Sequence, residues 1–181
     1  MITYLNHTIW VSGNCWVHKK TAGTMRRIEI VQKKFENLLR ESEVLDVWRV
    51  CDLVLFEFKS KEGAVIRLHV SGDLRIVDDE NLLASYFDMH EPGTNYKKKI
   101  FRKFKYDEPG HTLFDDQLKS IIDRLKGAKV LNVKFERKDL FLKLDNNIKI
   151  EVPQYTLKAD QEFYRLFVKG DLDSHFIVEN P

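Results

Sequence analysis

Two stretches, LDVWRVCDLVLFEF at 45–58 and LNVKFERKDLFLKL at 131–144, decide the reading of this chain, because they are two versions of one pattern. Leu45-x-Val47 aligns with Leu131-x-Val133. Asp52-Leu53-Val54-Leu55 then aligns with Asp139-Leu140-Phe141-Leu142, after a one-residue difference in length. Working outward, FENLL at 35–39 parallels LKSII at 118–122, and IRLHV at 66–70 parallels IKIEV at 148–152. Internal similarity of this kind marks a duplicated structural unit. Each copy reads as a helix and then strands, followed by an acidic helix start: DDENLL at 78–83 in the first copy, ADQEFY at 159–164 in the second.

Residue periods assign the elements. Ile28, Val31, Phe35, Leu38 and Leu39 recur at three- and four-residue spacing, as one stripe of an α-helix does. Leu118, Ile121, Ile122 and Leu125 repeat the stripe, with Asp115 and Asp116 in the first turn, where the helix dipole favours anions. Gly127 is placed to end that helix. The strands alternate instead: Val54, Phe56 and Phe58 share a face opposite Leu53, Leu55 and Glu57, and Ile66, Leu68 and Val70 lie opposite Arg67 and His69. SKEG at 60–63 and DNN at 145–147 suit hairpin turns, and Pro153 ends a strand. Thr8–Val11 and Cys15–Val17 read as an N-terminal hairpin, and His175–Val178 as a closing strand. The expected fold is α+β, with two similar halves, each an antiparallel sheet with one main helix, plus that hairpin. The expected organisation is an N-terminal half at 1–92, a basic connecting segment at 93–110 and a C-terminal half at 111–181, able to pack as one compact domain.

Composition narrows the classes. The 181 residues are 43% hydrophobic and 32% charged, with 8 Gly and 4 Pro, which excludes collagen-like and wholly disordered chains. Thirty Lys and Arg against 28 Asp and Glu leave a formal charge of +2, too balanced for a protein that coats DNA with its whole surface. No apolar run reaches membrane-spanning length, and the start MITYLNHTIW lacks the pattern of a secretory signal, so no membrane association and a cytoplasmic location are expected. Cys15 and Cys51 are too few for a disulfide framework and read as reduced thiols.

The densest charge is in KKKIFRKFKY. Lys97, Lys98, Lys99, Arg102, Lys103 and Lys105 interleave with Ile100, Phe101, Phe104 and Tyr106, between turns at Pro92-Gly93 and Pro109-Gly110. Cations neutralise phosphates and aromatic faces stack on bases, so this segment is the candidate for nucleic-acid contact, although Asp88, Glu91, Asp107 and Glu108 dilute its field. Glu57-Phe58-Lys59 has the acidic-x-Lys spacing of restriction-type nucleases, with Asp46 or Asp52 as the further carboxylate. That triplet arises readily by chance in so charged a chain. Cys15, His18 and His69 are the remaining nucleophile or ligand candidates, but Cys15 and His18 fall on opposite strand faces, and His7, His90, His111 and His175 are scattered. GxSxG, GxxxxGK[ST] and GxGxxG are absent from the sequence, and no metal or cofactor is expected. Among the aromatics, Trp10, Trp16, Trp48 and Tyr96 are the candidates for a binding surface; Trp48 lies on the strand face opposite Val47, and its counterpart is the cationic Lys134.

The stretch VWRVCDLVLFEF…AVIRLHVSGDLR at 47–75 resembles a strand pair of the formamidopyrimidine-DNA glycosylase N-terminal domain, but the chain begins Met1-Ile2-Thr3 without that family's proline nucleophile, and no catalytic residue carries over. KVLNVKFERKDLFLKLDNNIKIEV…EFYRLF…SHFIVEN, within 129–180, resembles small bacterial proteins encoded as immunity partners of polymorphic toxins. That resemblance implies a bacterial or phage protein that acts by binding another protein, a toxin or defence protein, with no catalytic residues. The expected function is therefore a non-catalytic protein-binding module, an inhibitor or immunity protein, with Trp48 and Tyr96 at the partner surface. The alternative is nucleic-acid binding through Lys97 to Lys105.

Overall fold

A computed structural model describes residues 10–11, 22–79, 81–94, 104–154, 161–171 and 174–179. In chain order the elements are β1 (Trp10–Val11), α1 (Ala22–Leu39), β2 (Glu43–Val50), β3 (Leu53–Lys59), β4 (Val65–Val70), β5 (Arg75–Val77), β6 (Leu82–Ser85), a 3-10 turn (Tyr86–His90), α2 (Leu113–Leu125), β7 (Val130–Glu136), β8 (Asp139–Leu144), β9 (Lys149–Val152), β10 (Glu162–Val168) and β11 (Phe176–Glu179). The fold is α+β. It has one antiparallel sheet in the order β1-β11-β10-β4-β3-β2 and a second in the order β6-β5-β9-β8-β7.

The two halves exchange strands. Helix α1 and the meander β2-β3-β4 are matched by α2 and β7-β8-β9, yet β4 is extended by β10 and β11 of the second half, while β9 is extended by β5 and β6 of the first. Leu166 of β10 lies opposite Leu68 of β4, and Ile76 of β5 lies opposite Ile150 of β9. Each half thus completes the other's sheet.

Local landmarks recur at one constant separation in sequence. The first strand of each meander is bulged, between Val44 and Asp46 and between Val130 and Asn132. Each first hairpin turns on a residue with positive φ, Cys51 at 54° and Arg137 at 59°. The strand starts also pair reciprocally: Val44 N–H donates to the Ala128 carbonyl at 2.9 Å and Val130 N–H to the Ser42 carbonyl at 2.8 Å. These landmarks correct the expected alignment. Leu53 matches Asp139 and Val54 matches Leu140, with no difference in length. A strand's side chains alternate, so a slip of one residue would set the outward Leu55 on the inward Leu142.

Both inner faces share one core. Val54, Phe56, Phe58, Ile66, Leu68 and Leu166 from one sheet, and Leu140, Leu142, Leu144, Ile150 and Ile76 from the other, are all buried within it. Phe135 of β7 meets Phe176 of β11 edge-on, with ring centroids 6.1 Å apart. The helices are crossed over. Helix α1 lies against β7 and stacks Phe35 on Phe176 at 6.1 Å, while α2 lies against β2, β6 and the 3-10 turn. Helix α2 starts in a capping box: Thr112 Oγ1 accepts from Asp115 N–H at 3.1 Å, and the Asp115 carboxylate accepts from Thr112 N–H at 3.0 Å. It closes at Gly127, whose φ of +81° costs a residue without Cβ nothing.

Two expectations fail. The acidic starts at 78–83 and 159–164 do not open helices, since Leu82–Ser85 and Glu162–Val168 are strands. Asp78 Oδ1 instead accepts from Asn81 N–H at 3.1 Å, a turn that borrows the chemistry of a helix cap. In β10 a bulge between Glu162 and Tyr164 leaves Phe163 and Tyr164 both buried, a spacing that imitates a helix in the sequence. Of the N-terminal hairpin, only Trp10–Val11 is described, and it pairs with β11; Cys15–Val17 lies outside the described residues.

The connection between the halves leaves and returns at one place. Pro92 bridges Thr112, Gly93 N–H donates to the His111 carbonyl at 2.9 Å, and Leu113 N–H to the Glu91 carbonyl at 2.8 Å. Among the described residues, no helix is long and apolar enough to cross a membrane.

Candidate functional site

The outward face of the six-stranded sheet carries the most concentrated chemistry of the described chain. Strand alternation puts Trp48, Leu55, His69 and Arg165 in one row across β2, β3, β4 and β10, with Asp46, Glu57, Arg67 and Phe167 in the next. Arg67 donates through Nε to Glu57 at 3.1 Å and holds its guanidinium carbon 6.0 Å from the centre of the Trp48 ring. Lys169 reaches the same Glu57 oxygen at 3.3 Å. Arg165 forms a two-pronged pair with Glu162, at 3.1 and 2.7 Å.

Phe167 sits between two imidazoles. His175 stacks on it at 4.6 Å with the rings only 5° from parallel, and His69 meets it edge-on at 4.8 Å. Burial, helped by the cations Arg165 and Arg67, holds the His69 imidazole below the usual histidine range, and Glu162 opposes this only in part. His69 Nε2 is buried and makes no hydrogen bond with the described residues.

The fold supplies its own control for this face, because β2, β3, β4 and β10 have counterparts in β7, β8, β9 and β5 of the five-stranded sheet. In the core the counterparts stay apolar: Phe56 and Leu142, Leu68 and Ile150, Leu166 and Ile76. Outside, Arg165 keeps an arginine counterpart in Arg75, but the rest of the cluster diverges. Lys134 stands where Trp48 does, Lys149 for Arg67, Glu151 for His69 and Val77 for Phe167. The scaffold therefore folds without a Trp–Arg–His–Phe face, and carries one on a single sheet.

Of the residues singled out from sequence, Trp48 lies in this face, half-buried. Tyr96, Lys97, Lys98, Lys99, Phe101, Arg102 and Lys103 lie outside the described residues. Lys105 is exposed and pairs with Glu108 at 2.6 Å. Glu57 and Lys59 share the outward face, and Asp46 lies directly across from Glu57. Glu57 is engaged by Arg67 and Lys169, and Asp46 by Lys126 at 2.9 Å. Asp52 is at the far hairpin turn, exposed. Among the described residues, no three His, Cys, Asp or Glu side chains converge as metal ligands would.

Sequence reasoning set Arg67 and His69 on one strand face, gave Arg67 no role and His69 only that of a candidate nucleophile or ligand, and it missed Arg165 and Phe167. The alternation of β4 was a sufficient signal for the first two. The others became neighbours of β4 only through the exchange of β10. Scans of family models, of curated proteins and of solved structures each find no match to this chain.

Proposed function

We propose that this chain is a non-catalytic binding module that grips another protein through the outward face of its six-stranded sheet, as an inhibitor or immunity-type partner does. The observation that carries this reading is the one-sided Trp48–Arg67–His69–Phe167 cluster on a scaffold whose other sheet lacks it. Tryptophan, arginine and other aromatic side chains dominate protein association, because they bury much surface for little lost side-chain freedom. The face also neutralises much of its own charge, with Glu57 and Glu162 set among Arg67, Lys169 and Arg165. Such internal pairing suits a mixed protein surface better than a polyphosphate track, which calls for unpaired cations in series.

The test is affinity capture from a native extract with the wild-type protein, Trp48→Ala/Phe167→Ala, and the opposite-face control Lys134→Ala/Phe141→Ala. One stoichiometric protein, lost with the first variant and kept with the second, is the expected result. Retention by both variants, or recovery of nucleic acid that is lost on replacing Lys98, Lys99, Arg102 and Lys103, would overturn it.

A further inference from the structure

Within that docking reading, on which this inference rests, we infer that Arg67 is the receptor for a carboxylate side chain of the partner protein, so the partner presents an Asp or Glu at this face. Arg67 spends only Nε, on Glu57 at 3.1 Å. Its Nη1 and Nη2 groups make no hydrogen bond with the described residues, and its side chain keeps 29% of its exposure. The Trp48 ring, 6.0 Å from the guanidinium carbon, limits its freedom, so a planar fork with two unspent donor groups is held at this face. A carboxylate fits such a fork with two parallel hydrogen bonds.

The charge arithmetic of the face points the same way. Three cations, Arg67, Arg165 and Lys169, meet two carboxylates, Glu57 and Glu162. Glu162 is taken up by both prongs of Arg165, and one oxygen of Glu57 is shared between Arg67 and Lys169. Within this ion-paired group the cations outnumber the carboxylates by one, while Asp46 on the same face is engaged by Lys126. A phosphate would also fit the fork, but a nucleic-acid backbone crossing here would bring successive charges against Glu57 and Glu162. The counterpart position on the other sheet holds Lys149, with Lys134 in place of the ring, so neither the fork nor its platform is required by the scaffold.

The experiment selects a phage-displayed library of random twelve-residue peptides on the full-length protein, with the selected sequences read against the input. Selected peptides should be enriched in Asp and Glu, and their affinity should fall about ten- to a hundredfold with Arg67→Ala, with little rescue by Arg67→Lys. Far-UV circular dichroism of both variants confirms that they fold. Peptides lost with Trp48→Ala/Phe167→Ala but lacking acidic enrichment overturn the carboxylate assignment and leave the docking face standing. Peptides indifferent to Trp48 and Phe167, or no selected peptides, overturn the docking reading and this inference with it. Binding of a twenty-residue oligothymidylate that Arg67→Ala abolishes makes the ligand a phosphate and overturns the assignment.

Discussion

Arg49 and Asp115, 66 residues apart, form a buried two-pronged ion pair, with Nε to Oδ1 at 2.8 Å and Nη2 to Oδ2 at 2.7 Å. Every N–H of the guanidinium is used: the remaining donors reach the Tyr106 carbonyl at 2.7 Å, the Glu108 carbonyl at 2.9 Å and the Cys51 carbonyl. One side chain of β2 thus ties together the first hairpin, the start of α2 and the chain returning from the lysine-rich segment. The other end of that segment is tied at the same helix start, where Thr94 donates N–H and Oγ1–H to Asp116 at 2.6 and 2.8 Å.

Replacing Arg49 leaves Asp115 charged, buried and unpaired. Arg49→Met is expected to cost about 3–5 kcal/mol in urea unfolding, the usual penalty for breaking a buried pair from one side. Arg49→Met/Asp115→Leu should recover part of this. It removes the orphaned charge but leaves the Tyr106, Glu108 and Cys51 carbonyls without their donor and the Thr112 and His111 N–H groups without their acceptor, so the recovery is partial. The equivalent position in the other half carries an apolar side chain, Phe135. A double variant no more stable than Arg49→Met contradicts this account.

Acid should expose the same pair. Burial alone would raise the Asp115 carboxyl, but hydrogen bonds from Arg49 and Thr112 and the guanidinium charge more than offset it, and the group lies at about 2 against an ordinary 3.8. A depressed carboxyl contributes stability above its unfolded value and loses it as pH falls. Asp115 therefore contributes fully above pH 3.8, a contribution of about 2 kcal/mol that disappears towards pH 2. Unfolding free energy measured from pH 5 to pH 2 should fall less steeply for Asp115→Asn than for the wild type; equal slopes would remove the assignment.

His69 has the opposite dependence to a salt-bridged histidine. Its folded value lies below the ordinary 6.5, because burial and the Arg165 and Arg67 charges disfavour the imidazolium. The folded state therefore prefers the neutral ring, and stability is complete above pH 6.5 and declines as acid protonates the unfolded chain first. His69→Phe should flatten the decline between pH 6.5 and 5. Titration of the His69 ring by NMR at or above 6.5 would contradict the burial argument.

Strand exchange has a direct consequence for cleavage. A protease site placed at 97–101 and cut in the folded protein should yield two pieces that elute together and retain the circular dichroism of the intact chain. The pairs β4–β10 and β5–β9 hold each piece in the other's sheet. Separate elution of the pieces in native buffer would mean that these pairings do not carry the assembly.

The element types were legible wherever one period ruled. The stripe of Leu118, Ile121 and Leu125 and the alternation of Val54, Phe56 and Phe58 each match a face that is buried in the fold. The reading failed at Leu82–Ser85 and Glu162–Val168, where a capped turn and a bulge gave helix-like signals to strands. At the candidate face, Trp48 was visible as an aromatic set against Lys134, whereas Phe167 was hidden by the misread period of β10.

The sequence by itself determined that the chain is a doubled α+β unit and which side of most strands faces the core, because hydrophobic burial acts through local spacing and leaves its period in the residues. Only the tertiary structure decided that each half gives its last two strands to the other, and so set Phe167 beside His69 and Asp115 against Arg49. Contacts between residues so far apart depend on which strand edges meet, and edges expose backbone hydrogen-bonding groups common to all residues, so no side-chain pattern announces the choice.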